Sequence, residues 1–287
     1  MKNNKLLIVD GNNLLYRGYF ATSYSGTILR ASDGTATNGV YAFGNMLKKA
    51  VNDIKPTHLV VVLDKGKHTF RANLSEDYKA TRKPAPDDLV PQFGLLRDML
   101  ISMNIQYFEN EDYEADDFAG SLCERFKNEN LDIYILSSDR DMYQLISDKV
   151  TVITPKKGVS NMVLMTPSEL KSETGLEPYQ IIEFKSIAGD SSDNIKGIAG
   201  IGEKTAKDLL GRYKTVDEIY NHIDELKGKT KEKFEKGRSD YELSKQLATI
   251  KRDIVLNYNI SDLKLNINWQ TANDFFRKYD MKTLVKE

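Results

Sequence analysis

The chain has 287 residues, 40% hydrophobic and 29% charged, with 41 basic against 42 acidic side chains and a formal net charge of −1. That composition supports a packed core and excludes wholesale disorder or a uniformly basic nucleic-acid binder. No apolar run approaches the roughly 18 residues of a membrane span, the basic start Met1-Lys2-Asn3-Asn4-Lys5 leads into a run too short for a signal sequence, and a lone Cys123 excludes an intrachain disulfide and fits a reducing cytoplasm.

In chain order, apolar runs at residues 5–10, 58–63, 105–108 and 132–137 read as buried strands. Between them, residues 38–53, 89–103 and 115–128 carry helix-period spacing. Such alternation predicts βαβ units in a mainly parallel sheet. Shorter strands are expected at 150–154 and 163–165, and from Pro167 onward the chain reads as helical. Ile181, Ile182, Phe184 and Ile187 suit an amphipathic helix, and 270–279 a last one. The expected fold is α/β: a mainly parallel central sheet flanked by helices over 1–166, then a helical region over 167–287.

Residues 65–91 interrupt the pattern with Pro84, Pro86 and Pro91 and a basic crowd of Lys65, Lys67, Arg71, Lys79, Arg82 and Lys83. A connection of this length is a functional lid or is disordered. A second basic stretch holds Lys227, Lys229, Lys231, Lys233, Lys236 and Arg238. Local patches of this kind attract phosphate backbones where net charge does not.

Nine carboxylates stand at junctions of these elements. Asp10 and Asp64 directly follow apolar strands, and Asp139 follows another after two serines. The carboxyl ends of parallel strands line one crevice, so these acids should converge. Two carboxylates about 4 Å apart repel by roughly 4 kcal/mol at an effective dielectric near 20, so a cluster calls for hard cations such as Mg²⁺. Each acid also has a plainer reading. Asp10-Gly11-Asn12-Asn13 makes a good helix cap. Glu114-Ala115-Asp116-Asp117 suits the positive end of a helix, although three acids in four residues exceed that need. Asp139-Arg140-Asp141, if extended, places both carboxylates on one side, yet the same pattern occurs in ordinary turns.

Gly189-Asp190-Ser191-Ser192-Asp193-Asn194 precedes Ile198-Ala199-Gly200-Ile201-Gly202-Glu203-Lys204. A Gly-x-Gly turn before a helix frees backbone N–H groups for phosphate without reading a base. A helix–hairpin–helix near 190–213 is therefore preferred over a plain turn. Lys79 and Arg82, three apart, would share a face if helical, or be ordinary solvated charges. Tyr78 offers a ring for base stacking, or simply packs.

Taken in order, Asp10-Gly-Asn, Asp64 before a basic arch with Tyr-Lys-x-x-Arg, Glu114-Ala-Asp-Asp, Asp139-x-Asp141, Gly-Asp190-x-x-Asp193-Asn-Ile and the Gly-Ile-Gly hairpin resemble the bacterial 5′ nucleases. That family includes free-standing flap endonucleases and the 5′→3′ exonuclease domain of DNA polymerase I. The resemblance runs from Lys5 to about Leu247, and the absence of a polymerase region makes the chain look free-standing. It implies two metal sites for Mg²⁺ or Mn²⁺. Asp10, Asp64, Glu114 and Asp116 match the first, with Asp117 alongside. Asp141, Asp190 and Asp193 match the second, and Asp139 lies between. Lys79 and Arg82 match arch residues at the scissile phosphate and Tyr78 a base-stacking position. Gly200 and Gly202 match the duplex-holding hairpin, which in some relatives binds K⁺. Lys67, Arg71, Lys83 and Lys204 are further expected DNA contacts. Ala199 and Lys196 stand where proline is frequent, which removes no ligand or backbone N–H.

The resemblance implies hydrolysis of DNA phosphodiesters at 5′ flaps and 5′ ends, with products bearing a 5′-phosphate, in replication and repair. Branched or 5′-ended DNA, and RNA-primed DNA, are the implied substrates, and a cytoplasmic monomer is expected. Two metal ions would activate water and stabilise the leaving oxygen. That needs no histidine base, and none of His58, His68 and His222 lies among the acids. Competing readings are a PIN-type ribonuclease, which lacks the arch and hairpin, a haloacid-type phosphotransferase, which needs a DxD pair at the first strand, and a non-catalytic structure-specific DNA-binding protein.

Overall fold

The computed structural model describes residues 4–23, 28–66, 69–157 and 161–287. Six strands, β1 (Asn4–Asp10), β2 (His58–Asp64), β3 (Gln106–Asn110), β4 (Leu131–Leu136), β5 (Val150–Lys157) and β6 (Asn161–Met165), form one sheet in the order β3-β2-β1-β4-β5-β6. The first five are parallel and β6 pairs antiparallel with β5. From β1 the chain builds outward to β3, then returns to β1's other side with β4. Such a reversal opens a crevice at the carboxyl ends of the two strands.

Alternation sends Leu6 and Ile8 of β1 to one face and Leu7 and Val9 to the other, and all four are fully buried. The Leu7/Val9 face is covered by α1 (Gly11–Thr22), α2 (Asn38–Ile54), α4 (Val90–Ser102) and the last helix, α12 (Trp269–Lys278). Between α2 and α4 lies the short α3 (Phe70–Leu74). The opposite face is covered by α5 (Ala115–Phe126) and continues without a break into the C-terminal helices. Those are α6 (Pro167–Thr174), α7 (Gln180–Ala188), α8 (Glu203–Tyr213), α9 (Val216–Asn221), α10 (Lys229–Lys236) and α11 (Arg238–Ala248). Ile8, Ile187, Leu210 and Phe234 therefore belong to one apolar cluster. The expected boundary at 166/167 does not separate two cores. Among the described residues no helix is long and apolar enough to cross a membrane.

Gly11 sets how closely α1 leaves β1. A Cβ there would lie 2.4 Å from Leu63 Cδ2 and 2.9 Å from Val61 Cγ1. Only a bare backbone brings Asp10 to the rim beside β2.

Two local expectations change. Residues 76–81 are successive turns, not a helix, and Lys79 sits in the left-handed region at φ 55°. Its amide is held there by a 2.9 Å bond to the Asp193 carbonyl. Asp139 and Asp141 do not lie on an extended segment. Asp139 caps a 3-10 helix, Arg140–Leu145, because its carboxylate accepts from the Asp141 amide at 2.9 Å.

Candidate active site

Asp10 ends β1 and caps α1, accepting from the Asn13 amide at 3.2 Å and the Ser137 hydroxyl at 2.8 Å. Burial, with repulsion from Asp64 and Asp139 added, pushes its carboxyl up to about 7. Asp64 ends β2 and accepts from the Ala115 amide at 2.7 Å, so it also pins the start of α5. Crowding by protein raises its carboxyl despite that bond.

Glu114 is the N-cap of α5 and is buried. One of its oxygens takes the Tyr78 hydroxyl at 3.0 Å and Arg71 at 3.1 Å, and the other takes Lys79 at 2.9 Å. Asp116, two residues on, has a buried Oδ1 with no hydrogen-bond partner, 3.8 Å from Arg71. Burial, reinforced by Asp117 and Glu114, holds its carboxyl well above the usual range against the pull of Arg71.

A second group lies along the same rim. Burial raises Asp139, with Lys185 opposing. Asp141 and Asp190 both pair with Lys185 of α7, Asp190 at 2.5 Å. Asp190 also accepts from the Ser192 amide and hydroxyl at 2.8 and 2.7 Å. Burial would raise it, but Lys185 and Ser192 outweigh burial and hold its carboxyl below the usual range. Asp193 is buried and receives Arg82 at 2.6 Å and the Tyr78 hydroxyl at 3.3 Å. The loop between is closed by reciprocal 2.8 Å bonds linking Asp190 and Ile195. It needs glycine at position 197, where φ is 63° and a Cβ would meet the Gly189 nitrogen at 2.4 Å.

Three expected roles change on burial grounds. Asp117 is fully buried and both oxygens are engaged, by Arg71 at 2.7 Å each and by the Lys251 and Glu114 amides at 2.8 and 3.1 Å. No lone pair direction is left facing the crevice. Arg71, 1% exposed, also donates to the Leu247 and Thr249 carbonyls, each at 2.9 Å, so it is an internal strut and not a DNA contact. Tyr78 is 8% exposed with its hydroxyl on two acids, which leaves no open ring face for a base. Lys79 and Arg82 do reach the acids, and burial is outweighed by Glu114 and Asp193 respectively, so both hold their protons more tightly. Lys83, Gly200, Gly202 and Lys204 are exposed. Gly202 is the N-cap of α8 and Lys204 is in its first turn. Lys67 lies outside the described residues.

The loop carrying Asp193 is tied to the arch. Asp77 accepts from Asn194 on its carbonyl and from Lys196 on its carboxylate, each at 2.7 Å. Sequence reasoning missed Lys185, Ser137 and Asn13, whose side-chain oxygen accepts from the Ser138 amide and hydroxyl at 2.9 and 2.7 Å. A lysine inside the apolar stretch Ile181–Ile187 was the available signal for the first.

The donor set is all oxygen, crowded, and partly unsatisfied. Asp116 has an orphaned oxygen and Asp10 is pushed toward its protonated form, which is what acids lacking a hard cation show. Among the described residues no three His, Cys, Asp or Glu side chains are gathered as a ready metal cage. Lys79, Arg82 and Lys185 occupy oxygens of these acids instead. Mg²⁺ commonly keeps several waters and takes only one or two carboxylates, so a spread rim still fits it.

Comparison with known proteins shows the family and the fold. Residues 5–175 match the family described as 5′-3′ exonuclease, N-terminal resolvase-like domain, and 176–271 match 5′-3′ exonuclease, C-terminal SAM fold. The chain is 39% identical over 286 residues to a 5′-3′ exonuclease of Bacillus subtilis, covering 100% of this chain and 96% of the relative. It is 42% identical over 260 residues to DNA polymerase I of Bacillus caldotenax, covering 90% of this chain but 29% of that polymerase. A crystal structure of the bacteriophage T5 flap endonuclease in a pseudo-enzyme-product complex with DNA and metal ions shares the fold, with TM-score 0.66 and 23% identity over 99% of this chain and 100% of that one.

Proposed function

The chain belongs to the 5′-3′ exonuclease family, and from that premise we propose that it is a structure-specific 5′ nuclease hydrolysing DNA phosphodiesters at 5′ flaps and 5′ ends. One observation carries the reading: Lys79 and Arg82 of the arch meet Glu114 and Asp193 at 2.9 and 2.6 Å, over the crevice where the strand order reverses. Cations and acids so placed suit a phosphate whose charge grows in the transition state.

Asp10, Asp64, Glu114 and Asp116 would line one divalent-cation site and Asp141, Asp190 and Asp193 a second, with Asp139 between, most of them through waters kept by the ion. Asp117 is assigned instead to anchoring Arg71. Divalent cations held by these acids would supply a water of lowered pKa and charge to offset the leaving oxygen. Lys79 and Arg82 turn from the acids to the scissile phosphate and stabilise its developing charge. The exposed amides at Gly202 and the start of α8, with Lys204, hold duplex phosphates without reading bases. RNA-primed DNA presents the same phosphates, and primer or flap removal and repair are the proposed roles. Mg²⁺ is the natural ion for these donors, with Mn²⁺ able to replace it.

The test is to size the products of a 5′-labelled flap with and without EDTA. Short labelled fragments that vanish on chelation support the reading, and undiminished cleavage in excess EDTA refutes it. Asp139→Ala should abolish cleavage yet bind flap DNA in Ca²⁺.

A further inference from the structure

Besides Arg71, which pairs with Glu114, the acids of the rim meet two kinds of cation. Lys79 and Arg82 belong to the arch, a run of turns at the surface. Lys185 belongs to α7, whose neighbours Ser186 and Ile187 are fully buried. It cannot leave with the arch. Its ammonium is in ion-pair contact with Asp141 and 2.5 Å from Asp190, and all three side chains are equally secluded, at 13%, 13% and 14% exposure. The ammonium thus holds an oxygen of each of two carboxylates that lie 44 and 5 residues away in sequence.

Resting on the two-site reading above, we infer that Lys185 is a built-in counter-ion of the Asp141/Asp190 site that competes with its divalent cation. The ammonium takes up a lone pair on each of those two oxygens and repels an incoming divalent ion. Loading therefore works against the lysine, whether its side chain stays or moves aside, and the cost falls on the affinity of that site. In the other group the core-anchored Arg71 reaches Glu114 and lies 3.8 Å from Asp116, but among the described residues Asp10 and Asp64 accept from hydroxyl and amide donors and keep oxygens free of such a cation. The two sites then fill in order, the Asp10/Asp64 site first. Lys185 is a positioning residue on this account: it keeps the second group of acids folded together when the ion is absent.

The experiment is Mn²⁺ binding to the whole chain, followed by the spin-resonance signal of free ion, for the wild type, Lys185→Met and Lys185→Gln. Two classes of site are expected in the wild type. Both substitutions should tighten the weaker class by about ten-fold, the scale of an ordinary coupling between sites, and leave the tighter class unchanged. In EDTA both variants should melt below the wild type, and Mn²⁺ should raise their melting temperature by more. Two classes with the weaker one unmoved overturn the inference while the two-site reading stands. A single class in all three proteins overturns the two-site reading and the inference with it.

Discussion

Both terminal nitrogens of Arg71 reach the carboxylate of Asp117, each at 2.7 Å, in a pocket closed to solvent. A forked pair of this kind is geometrically specific, and breaking it leaves a buried charge alone. Asp117→Ala should lower unfolding free energy by about 3–5 kcal/mol, equally in EDTA and in Mg²⁺, measured by urea denaturation. Asp116→Ala should behave oppositely, costing little stability in EDTA because its Oδ1 has no hydrogen bond to lose, while abolishing flap cleavage. If Asp117→Ala is stable and selectively weakens metal binding, the assignment of the two neighbours is reversed.

Asp10 makes metal-free stability depend on pH. Its folded value of about 7 lies above the ordinary 3.8, so between those limits the folded chain binds more protons than the unfolded one. Stability without metal should fall as pH rises through that window, with the full cost present above pH 7. The shift corresponds to about 4 kcal/mol at 1.36 kcal/mol per unit. Asp10→Asn, melted in EDTA, should gain most at pH 8 and less than half as much at pH 5. A gain independent of pH would show that the charge is not what strains the site.

Lys79 and Arg82 are predicted to act on the reaction and not on the fold. Single-turnover cleavage of a 5′ flap should drop by about 10²–10³ in Arg82→Ala or Lys79→Ala, the scale for losing one donor to a developing anion. Melting temperature should change little, since Arg82 is half exposed and such pairs contribute about 0–1 kcal/mol. Rates within two-fold of wild type would remove both from the phosphate.

Tyr78 distinguishes a stacking platform from a hydrogen-bonded post. Phenylalanine keeps the ring and deletes only the bonds to Glu114 and Asp193. Tyr78→Phe should slow cleavage by about ten-fold, equivalent to one ordinary hydrogen bond of about 1.4 kcal/mol. An unaffected rate would favour the ring as the working part.

The sheet was legible because its strands are apolar on both sides: the run Leu6–Val9 can only be a centre. The acids were legible because parallel strands end on one edge. What could not be read were side-chain partners brought together by tertiary packing. Arg71 and Asp117 are 46 residues apart, and nothing local tells an arginine in a basic stretch that it will be interior. Lys185 is hidden the same way, with Asp141 44 residues off. Asp139 and Asp141 were misread for a different reason: Asp139 bonds its own chain two residues on, and that local bond bends the segment out of an extended path.

The tie between arch and hairpin loop has a mechanical meaning. The exposed Lys196–Asp77 ion pair is weak by itself, but it is backed by Asn194 on the Asp77 carbonyl and by the Lys79 amide on the Asp193 carbonyl. These links join the segment that bears the cations Lys79 and Arg82 to the segment that leads into α8. Under the proposed function, the hold on a duplex at α8 and the placement of Lys79 and Arg82 depend on the same few bonds.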